Sequence, residues 1–252
     1  MALERRRRRF PTTRWSVVVA AGDGVSPESR AALSALCEVY WAPVYAFVCR
    51  TGRSDDVARD LTQAFFARLL EKRDFRSARR DLGRFRTFLL TAVRHFLANQ
   101  ADHEHALKRG GGRVHLPLDA VAGEAGQAVV DPASGETPET IFERRWALTV
   151  LDQAVTRLTE ESERAGKGRL FEALRPFLTG DTEASYAACA QALGLSESGV
   201  RVAVHRLRRQ FGRCLRETLA ETVDDPNDID SEIQYLRRVI ARQHASSSLE
   251  HF

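Results

Sequence analysis

The residues from Ser185 to Arg213, SYAACAQALGLSESGVRVAVHRLRRQFGR, leave few folds open to the chain that carries them. Ala188, Cys189, Ala192 and Leu193 recur at helical spacing. Gly194 then supplies the backbone freedom that a helix end needs, and Ser196 is placed to accept a hydrogen bond from the open amides of a following helix. Two short helices joined by such a tight turn make a helix-turn-helix. In the second helix Val200, Val204, Leu207 and Phe211 share the face that packs on the first. Ser198, Arg201, Val202, His205, Arg206 and Arg209 take the remaining faces. Arginines there suit the major groove of DNA, where they bind phosphates or fork onto guanine edges. A merely solvated arginine-rich helix carries the same charge but has no need of the turn and the cap, so a DNA surface is favoured.

The rest of the chain is helical by the same test, and no stretch keeps the alternation of a strand, so the expected fold class is all-α. A pattern from about Glu28 to Arg50 aligns Leu33, Leu36, Cys37, Tyr40, Trp41, Val44 and Phe47, with Pro43 expected to kink the helix or start a new one. Ser54 reads as the cap of a helix from Asp55 to Lys72 with the stripe Val57, Leu61, Phe65 and Leu69. Asp60, Gln63 and Phe66 project elsewhere; an exposed Phe66 points to a partner, or simply widens the core face. From Arg84 to Asn99 aromatics interleave with arginines. That pattern fits ordinary core plus solvated charge, and equally fits rings that stack on unpaired bases while cations hold phosphates.

Gly110 to Thr140, rich in Gly, Pro, Ala and acids, reads as a linker. Beyond it Ile141, Phe142, Trp146, Val150, Leu151, Val155 and Leu158 form a stripe, and Leu170, Phe171, Leu174, Phe177 and Leu178 continue that core. After a break at Asp224 to Asp228, Ile229, Ile233, Leu236, Val239 and Ile240 define a last amphipathic helix whose apolar face wants a partner.

Composition bears on what the chain meets. Of 252 residues 43% are hydrophobic and 29% charged, and the formal charge of +4 favours a polyanion only because the basic residues cluster. No apolar run approaches the roughly 20 residues that span a bilayer, and Arg5 to Arg9 is followed by Phe10, Pro11 and polar residues, not by a signal-peptide core. A cytoplasmic protein without a membrane partner is expected. Cys37, Cys49, Cys189 and Cys214 are widely spaced and read as buried thiols. His103 and His105 flank Glu104, but that spacing sends them to different sides of a helix, so no metal site is assigned. With no P-loop, GxSxG or HExxH, neither an enzyme nor a cofactor is expected.

Asp60-Leu61-Thr62-Gln63, then Phe85-Arg86-Thr87-Phe88-Leu89 with Arg94, then Tyr186 to Arg208, resemble in order and separation the two core regions of an extracytoplasmic-function (ECF) sigma factor of bacterial RNA polymerase. Trp15, the run from Lys108 to Arg113 and the helical tail resemble a subgroup whose regulation is associated with Ser/Thr kinases. The resemblance implies a basic tail at 1–11 and a region 2 domain at 12–109. The latter would dock on the β′ clamp helices through Asp60, Gln63 and Phe66 and capture the melted minus-ten strand with Phe85, Arg86, Phe88, Arg94, His95 and Asn99. It further implies a linker at 110–140 that threads towards the polymerase active-site channel, and an extension at 223–252. A region 4 domain at 141–222, beside the β flap, would read the minus-thirty-five element with Ser198, Arg201, Val202, His205, Arg206 and Arg209. The implied partners are promoter DNA, the polymerase core, and a Ser/Thr kinase or anti-sigma factor. A helix-turn-helix regulator acting without polymerase is the competing reading, and it leaves Asp60 to Phe66 and Phe85 to Asn99 without a role.

Two departures from the family pattern bear on mechanism. Ala101-Asp102-His103-Glu104 stands where members tend to be basic, and Arg59 and Ala64 stand where they tend to carry carboxylates. The docking face is therefore short of negative charge. Phosphorylation of Thr62 would add about −1.5 to −2 charges there, with Ser54 as a lesser candidate.

Overall fold

A computed structural model of the chain describes residues 27–72, 85–109, 136–179, 185–223 and 225–249. The arginine run at Arg5 to Arg9, Trp15, Arg73 to Arg80, Gly110 to Arg113 and most of the stretch read as a linker lie outside the described residues. The regular structure is helical throughout, with no strand among the described residues, in agreement with the all-α expectation. No described helix is long and apolar enough to cross a membrane. The chain divides into two compact units between Trp146 and Ala147.

The first unit contains α1 (Pro27–Arg50), α2 (Asp55–Lys72), α3 (Phe85–Arg109) and the opening turns of α4 (Pro138–Arg164). Pro43 lies within α1 and does not start a new helix. Gly52, at φ +80°, turns the chain into α2, a conformation that costs glycine nothing. Pro138 opens α4 with the fixed φ of a first helical residue, and the Thr137 hydroxyl accepts from the Thr140 amide at 3.2 Å. The core is aromatic. Tyr40 meets Phe85 edge to face with centroids 4.9 Å apart, Phe65 meets Phe96 at 5.6 Å, and Phe47 meets Phe142 at 6.5 Å. Trp146 is fully buried, and its indole N–H donates to the Tyr40 hydroxyl at 3.1 Å, as a buried indole must find an acceptor.

In α2 the buried stripe is Ala58, Thr62, Phe65 and Phe66, whereas Val57 is 41% exposed. The face expected from Val57, Leu61, Phe65 and Leu69 is thus rotated by about one residue. Small Ala58 and a threonine that satisfies its own hydroxyl line the face turned inward.

The second unit begins with the remainder of α4 and continues through α5 (Gly168–Leu174), α6 (Pro176–Thr179), α7 (Tyr186–Leu193), α8 (Glu197–Ala220), a short 3-10 turn (Pro226–Asp228) and α9 (Ile229–Leu249). Val150, Ala154, Leu158, Phe171, Leu174, Phe177, Val200, Val204 and Leu207 are buried. The tail helix α9 packs on α8, burying Leu236 and Val239, and Arg216 pairs with Asp230 at 2.7 Å. Its apolar face has found its partner within the chain. Cys37 and Cys214 are buried, Cys49 and Cys189 are half-buried, and all four are free thiols.

Candidate nucleic-acid interface

The turn that joins α7 to α8 is built from caps. Ser185 accepts from the Ala188 amide at 3.3 Å and starts α7; Gly194, at φ +66°, ends it while the Leu195 amide returns to the Ala190 carbonyl at 2.9 Å. This six-to-one closure satisfies carbonyls that the helix end would otherwise leave open. Ser196 then accepts from the Gly199 amide at 3.1 Å and starts α8. Val200, Val204 and Leu207 turn inward. Ser198, Arg201, Val202, His205, Arg206 and Arg209 are all exposed, Val202 by 50%. The guanidinium of Arg201 lies over the Tyr186 ring, 4.5 Å from its centre.

Behind this face α8 is tied to α4 by ion pairs. Arg213 reaches both Glu161 and, at 2.9 Å, Glu217, while Arg157 reaches Glu221 at 2.6 Å and Glu217 at 3.5 Å. Glu161, Cys214 and Glu217 bring ligand-type atoms within 4.8 Å of one another. Their chemistry suits an arginine better than a metal ion. Arg213 already balances both carboxylates and holds the Glu161 acid below its ordinary value, and burial, with Glu161 beside it, pushes the Cys214 thiol up and keeps its proton on.

The residues expected at melted DNA divide between interior and surface. Phe85 and Arg86 are buried, and the Arg86 guanidinium lies 4.8 Å over the Trp146 ring. Phe88 is half-buried, while Arg94, His95 and Asn99 are exposed along α3. Arg94 is already engaged: its Nε and Nη2 donate to Glu139 Oε1 at 3.0 and 2.5 Å, and this holds the Glu139 acid low. Phe85 and Arg86, expected as direct base contacts, are both packed into the core that α4 helps to close. Trp146 was invisible as their neighbour in the sequence, where it stands 60 residues away from Arg86.

On α2 Asp60 and Gln63 are exposed, as docking residues need to be. Phe66 is only 5% exposed and stacks on Trp41, centroids 5.6 Å apart at 22°, so the ring that reaches solvent is Trp41, at 39%. Thr62 has no solvent exposure, and its hydroxyl donates to the Ala58 carbonyl at 2.7 Å. A kinase would have to displace what covers a hydroxyl so placed before reaching it. Ser54 is exposed just ahead of α2, and Arg59 pairs with Asp55 at 2.9 Å.

The family model for ECF sigma factor matches residues 50–218, well over half of the chain, spanning α2 to α8. No curated protein and no solved structure matches.

Proposed function

This chain belongs to the ECF sigma factor family, and on that premise we propose that it guides core RNA polymerase to a set of promoters and opens their minus-ten element. The role in transcription initiation, with polymerase core and promoter DNA as partners, follows from the family itself. One observation carries the finer reading: a capped helix, α8, leaves Ser198, Arg201, Val202, His205, Arg206 and Arg209 all exposed. Such a helix enters the major groove and reads the upstream element with its first turns.

Docking on the β′ clamp helices falls to Asp60 and Gln63, joined by Trp41 in the place first given to Phe66. Strand capture falls to Arg94, His95 and Asn99 with the half-buried Phe88, while Phe85 and Arg86 support the helix from inside. Flipping a base costs a few kcal/mol, which contacts along α3 must offset. Because Arg94 is held by Glu139, its capture of a phosphate exchanges one anion for another.

Reconstitution with core polymerase on a genomic promoter library tests the proposal. The chain should direct initiation at specific sites, and Asp60→Ala with Gln63→Ala should weaken core binding about tenfold, the loss of roughly 1.4 kcal/mol, without altering thermal unfolding. Binding to duplex sites in the absence of polymerase, with no specific initiation in its presence, would instead establish a regulator that works alone.

A further inference from the structure

Three side chains on three helices meet in succession at the exposed face of α8. Phe177 of α6 is buried; the Tyr186 ring of α7 packs on it, centroids 4.5 Å apart at 35°; and the Arg201 guanidinium of α8 lies 4.5 Å from the Tyr186 centre. Arg208 closes the arrangement, donating from Nε at 3.3 Å and Nη2 at 2.9 Å to the Phe177 carbonyl. Arg201 and Arg208 are seven residues apart, two turns along one stripe of α8. Two arginines of the same helix thus hold one aromatic pair, one through a ring face and the other through the backbone.

A guanidinium stacks by its face and carries its donors on its edge. The Tyr186 ring therefore restricts Arg201 without consuming the donors that a base would use. A free arginine on an exposed helix samples many rotamers and gives these up on binding. Here the choice is already narrowed.

We propose that Tyr186 is a positioning residue for base recognition, holding Arg201 flat so that its edge meets the O6 and N7 acceptors of a guanine in the upstream promoter element. The inference rests on the promoter-reading role given above. Phe177 fixes Tyr186 from behind, and Arg208 fixes Phe177.

The test uses the full chain bound to core polymerase and a duplex library randomised over the upstream element, with the bound pool sequenced. Arg201→Ala should relax preference at one guanine-containing base pair by about tenfold or more, the range of a forked arginine contact. Tyr186→Leu should relax preference at that same pair by about threefold or more, leaving other positions and the unfolding temperature in place. Tyr186→Phe, which keeps the flat face, should restore it. If Tyr186→Leu does not fold, Tyr186→Met fills the space against Phe177 without a ring and carries the test. Full preference in the Leu or Met variant, an even loss at every position, or a Phe variant no better than Leu overturns the proposal. An unchanged pool from Arg201→Ala is a different failure: it removes base reading by Arg201, and the role of Tyr186 with it.

Discussion

Glu161 joins α4 to α8 through Arg213, and the Cys214 thiol donates to the same carboxylate at 3.8 Å. Arg213 lowers its pKa from the ordinary 4.5 more than burial raises it. A carboxyl depressed in the folded state adds stability above the unfolded pKa and loses it as pH falls through the folded value. Both partners remain partly exposed, so the pair is worth about 1 kcal/mol or less after solvent screening. The native chain should lose that amount on acidification below the ordinary carboxylate range, and Glu161→Gln should lack this part of the slope. Urea titrations above and below that range check it, and parallel profiles for the two proteins would refute it. At this scale the sequence is least informative. Thr62 and Phe66 sit on a helix whose apolar residues fit two adjacent stripes, and which one turns inward is a matter of tertiary packing that no periodicity records.

At the scale of elements the turn between α7 and α8 was legible, because its requirements are local. Ser196 caps, and Gly194 takes a left-handed backbone. A Cβ at Gly194 would meet no atom within 4 Å, so replacing it tests the torsion alone. Gly194→Ala should cost about 1–2 kcal/mol, the penalty of an L-residue in that region, and Gly194→Asn less. Thermal unfolding of both variants measures it; a neutral alanine would mean that the turn relaxes. The tail helix was legible for the same reason: Ile229, Ile233, Leu236 and Val239 form a stripe. Its partner was not, since packing on α8 is a tertiary fact. Leu236→Ala should destabilise the chain by about 2–5 kcal/mol, as deletion of a buried leucine side chain does, seen as an earlier urea transition. No shift would mean that α9 is bound too loosely to matter.

For the whole molecule, composition and helical period were enough for the all-α class. The compact units divide after Trp146, inside α4. The reason is pairing over long sequence separation: Tyr40 and Trp146 share a hydrogen bond across 106 positions. A fragment ending at residue 135 lacks Ile141, Phe142 and Trp146 and should melt broadly, while one ending at residue 164 should keep a cooperative transition by circular dichroism. Equal transitions would show that these three side chains are dispensable to the first unit. The shared helix also governs how such chains can be recombined. A crossover placed ahead of Pro138 would import a foreign Trp146 against a resident Tyr40 and Arg86. A chimera that exchanges the second unit must therefore keep the first turns of α4 with the first.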